Sequence, residues 1–355
     1  MFLEGVGLST MAQGGKAAGV PRMSDVAEAA GVSIGTVSNA LNHPDLVHPD
    51  TLQRIRATID ELGFVRNATA QSLAVGSSTV IGFVALSLAN TIFLDMAAGA
   101  EAVAAKSGYS ILLANSDMDV VRQSTYLELF HTQSAAGILF APMPHLLSGM
   151  ERIRERGQPV VLLNCRAPQE SQCAVLANDE LGGYLAAKHL LDQGCHQLAF
   201  AGYIDSWPPL HQRYLGALRA VQESVGAVQL EVIPTREVRV EDGAAIGARI
   251  LDRKPERRPD GIIAGADLVA NGIIGSVMGS SSLRFPDDIA IIGYDDNRAS
   301  WNALVPLSTM AQPGVEMGRL ATELLAEEIT HPATHVHREI MLEPHLVVRQ
   351  SSRRR

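Results

Sequence analysis

From Val80 onward, short continuous Val/Ile/Leu runs alternate with amphipathic segments of helix length. The runs fall at 80–86, 110–114, 137–141, 159–163, 173–177, 197–201, 228–233, 260–264 and 288–293. The helix candidates lie near 94–107, 120–133, 145–156, 180–193, 210–224, 241–253, 267–279 and 314–329. A strand with one face in water alternates apolar and polar residues. A continuous apolar run is instead a strand buried on both faces, which is the condition of a parallel sheet covered by helices. Nine such strands are many for a single doubly wound sheet. The pattern predicts an α/β fold of two similar lobes, each built on a parallel sheet, with a ligand cleft between them.

Composition narrows the partners. The chain has 355 residues, 46% apolar but only 5% aromatic, so its cores must be built from Ala, Val, Leu and Ile. A net charge of −9 excludes an indiscriminate polyanion binder, and any nucleic-acid contact must come from a local surface. Cys165, Cys173 and Cys195 are too few for a disulfide framework and their spacing is not that of a zinc site, so neither metal nor cofactor is expected. Three cysteines suit a reducing, cytoplasmic setting. No run of 18 apolar residues predicts a membrane span. Residues 1–21 are Gly/Ala-rich without the basic start and apolar run of a signal peptide, and read as a flexible leader, with Met11 an alternative start.

Residues 22–65 have a different texture, that of three short helices. Asp25 and Glu28 have capping-box spacing, with Asp in the Ser/Thr place and Ser24 an alternative cap. Gly31 ends this helix, and Ser33 caps the next, Ile34 to Leu41. Two helices joined by Gly31-Val32-Ser33 describe a helix-turn-helix, with Val26, Ala27, Ala30, Val32, Val37 and Leu41 inside. A third helix starts at Pro49, carries Leu52, Ile55, Ile59 and Leu62 on one face, and closes at Gly63.

The second helix of such a unit enters the major groove of DNA. Here its outer face holds Ile34, Gly35, Ser38 and Asn39. Asn bonds adenine in bidentate fashion and Ile touches a thymine methyl. The same periodicity also describes a solvated face on a small packing module. Residues 22–76 carry Arg22, Arg54, Arg56 and Arg66 against Asp25, Glu28, Asp45, Asp50, Asp60 and Glu61, a sum of −2. Non-specific DNA affinity should therefore be weak, with a shallow salt dependence.

The stretch from Ser24 to Ser33, followed by Thr36-Val37-Ser38-Asn39-Ala40-Leu41-Asn42, closely resembles the headpiece of the LacI/GalR family of bacterial transcriptional regulators. The likeness continues through Leu62-Gly63-Phe64, Asn67 and Ala70-Gln71-Ser72-Leu73. It then runs through Ala114-Asn115-Ser116-Asp117, Gly182-Gly183, Arg213-Tyr214-Leu215-Gly216, Asp267, Ile292-Gly293-Tyr294-Asp295-Asp296 and Gln312-Pro313. The resemblance implies a headpiece (22–65), a hinge helix or linker (66–78) and a two-lobed effector and dimerisation domain (79–355) like that of periplasmic sugar-binding proteins. It implies a homodimer on a near-palindromic operator, regulating sugar or related catabolic genes as a repressor. Ser33, Ile34, Gly35, Thr36, Ser38, Asn39 and Asn42 are the DNA-facing candidates by this resemblance. In the hinge, Asn67, Ala70 and Leu73 join them, with Leu73 in the place of the family's minor-groove wedge. Such a wedge costs a few kcal/mol and is repaid by DNA bending and added contact.

For the effector, Arg213 and Asp267 match family positions that bond ligand hydroxyls, and Asn90, Phe93, Asn178, Asp179 and Gln312 are further candidates. A guanidinium fork with a carboxylate suits vicinal hydroxyls or a carboxylate ligand. Trp207 and Trp301 are readable either as stacking platforms for a sugar face or as surface contacts. The chain departs from its relatives at Asn39, often Arg, and at Asn90-Thr91-Ile92-Phe93, where a Pro is common. The family's Asp-Asn before the double glycine is reversed as Asn178-Asp179.

Other classes fare less well. There is no GxSxG, Walker-type loop or HExxH, so an enzyme is not expected. His331, His335 and His337 in HPATHVH read as a surface connection before the last strand rather than a metal site. A solute-binding protein would need export. The remaining alternative is a cytoplasmic small-molecule sensor of the same fold with impaired DNA binding.

Overall fold

The computed structural model describes residues 21–64, 78–143, 156–167, 172–203 and 207–354. The chain divides into two compact units, one ending at Gly76 and one beginning at Ser77. Nearly all of the expected leader, nearly all of the hinge, including Asn67, Ala70 and Leu73, and most of the helix expected near 145–156 lie outside the described residues.

The first unit is α1 (Met23–Ala30), α2 (Ile34–Asn42) and α3 (Pro49–Leu62). One expectation needs correction: neither Ser24 nor Asp25 caps α1. Arg22 precedes the helix, and Asp25 sits inside its first turn, where its Oδ2 accepts the Arg22 N–H at 2.7 Å. Asp25 thus plays the acidic part of the capping box, reaching back to a donor that the helix leaves without a partner. Ser33 caps α2 as expected, its Oγ accepting the Thr36 N–H at 3.0 Å. Gly31 and Gly63 end α1 and α3 at φ +65° and +63°, a conformation that costs other residues more. Val26, Ala27, Ala30, Val37, Ala40 and Ile55 are buried, with Val32, Leu41, Leu52, Ile59 and Leu62 packed around them.

The second unit holds two six-stranded sheets. The first takes β1 (Val80–Ala85), β2 (Ser110–Asn115), β3 (Gly137–Phe140), β4 (Val160–Leu163), β5 (Ala174–Ala177) and β11 (Glu339–Leu342) in the order β11-β5-β4-β3-β1-β2, all parallel. The second takes β6 (Gln197–Tyr203), β7 (Gln229–Pro234), β8 (Gly261–Ala264), β9 (Ala290–Tyr294), β10 (Ser308–Ala311) and β12 (His345–Val347) in the order β12-β10-β9-β8-β6-β7. Only β12 runs antiparallel, against β10. The described helices are α4 (Ile92–Ala104), α5 (Val120–Thr132), α6 (Asp179–Asp192), α7 (Pro208–Glu223), α8 (Val240–Leu251), α9 (Asp267–Ser280) and α10 (Gly314–Thr330). Among the described residues no helix is long and apolar enough to cross a membrane.

All nine expected apolar runs form strands, β1 to β9, but β2 and β7 lie at sheet edges and, against expectation, are not buried on both faces. β10 did not stand out in the sequence because it reads STMA. Its buried Ser308 and Thr309 are tolerated because each is hydrogen-bonded: Ser308 Oγ donates to the Arg349 carbonyl at 3.1 Å, and Thr309 Oγ1 to Asp267 Oδ1 at 2.8 Å. β11 and β12 close the sheet edges and are only half covered, so their apolar pattern is broken.

The chain passes between lobes three times, at β5 to α6, β10 to α10 and β11 to β12. α6 packs on the second sheet, whereas α10 returns to pack on β3, β4, β5 and α4 of the first. Two of the crossings touch, the Asn178 N–H donating to the Leu342 carbonyl at 2.8 Å. Within the second lobe α6 and α7 meet backbone to backbone. A Cβ on Gly183 would lie 1.8 Å from the Arg213 carbonyl oxygen, and one on Gly216 1.9 Å from that of Glu180. This approach brings the N-terminus of α6, with Asp179, against Arg213 of α7.

Candidate effector cleft and DNA-facing helix

On α2 the side turned from the core is open to solvent. Ile34 is 53% exposed although apolar, and Gly35, Asn39 and Asn42 are exposed beside it. Burying Ile34 in place of water would be favourable, and a thymine methyl is one apolar group that could do so. Ser33 and Thr36 form the turn that opens the helix, their hydroxyls 2.8 Å apart. Asn42 Nδ2 donates to Ser38 Oγ at 3.3 Å.

In the second unit a cleft lies between the lobes and is lined by residues of both. Its polar lining is Ser87, Asn90 and Asn164 from the first lobe with Arg213 and Asp295 from the second. Phe93, Met118, Trp207, Leu210 and Leu268 supply apolar walls. The lobes are joined across one side of the cleft. Asn90 Nδ2 donates to Asp295 Oδ2 at 2.6 Å, Asn297 Nδ2 to the Ala89 carbonyl at 2.9 Å, and the Arg298 N–H to Thr91 Oγ1 at 3.1 Å. Elsewhere Arg239 Nη2 donates to the Asp117 carbonyl at 3.1 Å, a further first-to-second-lobe bond.

Arg213 is buried, and its orientation is set from three sides. Nε donates to Asp179 Oδ1 at 2.8 Å, Nη1 to the Gly265 carbonyl at 2.7 Å, and the guanidinium lies 3.6 Å over the centre of the Tyr294 ring. Burial alone would lower its pKa, but Asp179 and Asp295 outweigh it and hold the guanidinium charged. Burial raises the Asp179 carboxyl, and Arg213 opposes the rise. Nη2 makes no hydrogen bond among the described residues, and Asp295 Oδ1 lies 3.8 Å from it. Asn164 likewise keeps a buried Oδ1 without a hydrogen-bond partner. Asn164 at φ +54° and Asp295 at φ +100° both hold backbone conformations that non-glycine residues avoid, at about 1–3 kcal/mol each. Strain and unused hydrogen-bonding capacity therefore coincide at the cleft.

Residues 22–67 match the bacterial regulatory proteins of the lacI family, and residues 187–352 match the periplasmic binding protein-like domain. The chain is 31% identical over 332 residues to the HTH-type transcriptional repressor PurR of Pectobacterium atrosepticum, across 93% of this chain and 96% of the relative. The chain belongs to the LacI family. It is a DNA-binding transcriptional regulator. The ribose operon repressor of Bacillus subtilis is 31% identical across 85% of this chain and 90% of its own. A LacI-family regulator from Enterococcus faecalis, solved with bound ribose, covers 77% of this chain and 98% of its own at 29% identity and a TM-score of 0.68. The lac repressor dimer shares the fold at a TM-score of 0.77 and 23% identity, across 94% of this chain and 99% of its own.

The seven effector candidates of this LacI-family chain separate in space. Asn90, Phe93 and Arg213 line the cleft. Asp179 stands behind Arg213, and Asn178 caps α6 by accepting the Leu181 N–H at 3.0 Å. Gln312 lies at the β10 to α10 crossing and donates to Asp295 Oδ1 at 2.5 Å. Asp267 is fully buried and does not line the cleft: Oδ1 accepts the Thr309 hydroxyl, and Oδ2 accepts the Asn297 N–H at 2.6 Å. Burial, reinforced by Asp295, raises its pKa well above the usual carboxylate range. Trp207 faces the cleft, whereas Trp301 donates to Asp296 Oδ1 at 2.8 Å outside it. Asp295 and Asn164 were not singled out as candidates. Asp295 lies within the Gly293-Tyr294-Asp295-Asp296 motif, but nothing local distinguishes it from Asp296. Asn164 follows the β4 run without any motif.

Proposed function

We propose that this regulator is a repressor that binds a near-palindromic operator as a homodimer and responds to a sugar or related small polar metabolite held between its lobes. The observation that carries the effector reading is the pair of unsatisfied groups in the cleft, Arg213 Nη2 as donor and Asn164 Oδ1 as acceptor. A polyol offers both partners from one hydroxyl-bearing edge. Trp207 and Phe93 suit its carbon face. Asp179 and Gln312 act as positioning residues for Arg213 and Asp295, and Asp267 positions the 295–297 turn. The relatives named for ribose are consistent with such a ligand.

In this reading residues 22–65 are the DNA-binding headpiece, 66–78 the hinge, 79–355 the effector and dimerisation domain, and residues 1–21 a leader. Exposed Leu112 and Leu113 on the edge strand β2 suit contact with a second copy. The setting is the cytoplasm, and no catalytic step is assigned. An effector that prefers the closed lobes shifts operator affinity, and the operator shifts effector affinity by the same factor. The sum of −2 over residues 22–76 predicts that non-specific DNA binding is weak beside operator binding.

Selection of bound genomic fragments by the purified full chain, at low and moderate salt, tests the operator and the effector together. Enrichment of a near-palindromic site, released or tightened by one member of a panel of pentoses, hexoses and disaccharides, is the expected result. Asn39→Ala should then change base preference at one position, and Leu73→Ala should lower specific binding more than non-specific binding. Arg213→Ala should remove the effector response and leave operator binding. No enrichment with or without the panel would overturn the operator reading.

A further inference from the structure

β5 and β11 pair in parallel with Ala174 opposite Glu339. That register sets Cys173, one residue before β5, beside the residues that lead into β11. Its Sγ lies 3.2 Å from His335 Nε2 and 3.9 Å from His337 Nδ1. The three residues offer ligand atoms that all lie within 4.8 Å of one another. Cys173 is wholly buried, and the His335 side chain is only 2% exposed. The Arg338 N–H donates to the same sulfur from 3.4 Å. One thiol has one proton to give, yet two imidazole nitrogens converge on it.

We propose that Cys173, His335 and His337 form a zinc-binding site in the first lobe, separate from the effector cleft. Zinc bonds sulfur at about 2.3 Å and imidazole nitrogen at about 2.0–2.1 Å, so tetrahedral geometry separates an S and an N ligand by about 3.6 Å. The two Sγ–N distances, 3.2 and 3.9 Å, fall on either side of that value. One sulfur with two imidazoles is a borderline-soft donor set, suited to zinc and unsuited to magnesium or calcium.

The surroundings add the usual support for a metal-bound histidine. With Nε2 on the metal, the His335 proton belongs on Nδ1, which lies 3.4 Å from Glu327 Oε1 without yet having the alignment of a hydrogen bond. Glu327 is itself held, accepting from Arg338 Nη2 at 2.5 Å. On binding, the Cys173 thiol loses its proton to solvent as the Zn–S bond forms, and both imidazoles bind through lone pairs. Three protein ligands leave a fourth tetrahedral position for water. The ion ties the 331–338 connection after α10 to the edge of the first sheet.

The test is titration of the reduced, chelator-treated full chain with zinc against a chromophoric chelator, and with cobalt by absorption. About one zinc per chain, with a Kd below about 1 μM, is expected, together with a thiolate-to-cobalt charge-transfer band. His335→Gln and Cys173→Ser should each weaken binding about 100-fold, and Cys173→Ser should remove the band. His337→Gln, at a half-buried position, should weaken it about tenfold with unchanged circular dichroism, which keeps the test decisive if Cys173→Ser does not fold. His196→Gln should change nothing. Wild-type affinity no tighter than that of His337→Gln, or a cobalt spectrum without the thiolate band, would overturn the assignment.

Discussion

Asn90 Nδ2 donates to Asp295 Oδ2 at 2.6 Å across 205 residues of sequence, and this bond joins the two lobes at the cleft. Asp295 also receives Gln312 from a crossing segment and stands near Arg213, so lobe closure and the orientation of the cleft's cation meet at one carboxyl group.

Asn90→Ala removes a hydrogen bond to a charged group, worth about 1.5–3 kcal/mol. The open-to-closed ratio should rise about tenfold or more. Small-angle scattering from the effector-free chain should show a larger radius of gyration than wild type; identical curves would mean that the bond does not govern closure.

The α6–α7 approach makes Gly183 sensitive. Gly183→Ala must push the helices apart at the Arg213 carbonyl, at a cost of about 1–3 kcal/mol, and should weaken effector response through Arg213. Gly275 is the contrast: it sits on the exposed side of α9 with no atom within 4 Å of a Cβ. Gly275→Ala should raise stability by about 1 kcal/mol. Urea unfolding of both variants checks the pair, and equal effects would contradict the packing argument.

Asp267 carries a pH prediction. Its folded pKa lies well above the ordinary value of 3.8, chiefly through burial. The native state therefore holds a proton that the unfolded chain has already lost, and this group's contribution to stability falls as pH rises above about 4 toward the folded value. Asp267→Asn keeps an acceptor for the Asn297 N–H and does not titrate. Its stability relative to wild type should improve as pH rises from about 4 toward the folded pKa of Asp267, while effector affinity persists. A constant difference across that range would show an unshifted carboxyl, and loss of effector binding without loss of stability would mean direct ligand contact.

Ser33→Ala removes the cap of α2 and should cost about 1 kcal/mol in the first unit. Ser33→Asp restores an acceptor and should recover the melting transition. Calorimetry of the full chain, following the transition of that unit, separates the outcomes.

Much of this molecule was legible locally. Apolar runs marked β1 to β9, and Gly31, Ser33, Pro49 and Gly63 marked helix ends, because strand composition and helix capping depend on residues close in sequence. β10 escaped notice because its Ser308 and Thr309 are satisfied by Arg349 and Asp267, partners more than 40 positions away. The same limit explains Asp267, a candidate by motif that the fold uses to anchor a turn.

Sequence alone determined the helical unit, the two-lobed α/β class and the family, since periodicity, caps and ordered motifs are properties of neighbouring residues. Tertiary structure alone decided that Asn90 meets Asp295, that Arg213 keeps one nitrogen for the cleft, and that Cys173 lies against His335 and His337. Those meetings depend on strand order and on helix approach through Gly183. Both arise from packing between distant segments, which no local pattern records.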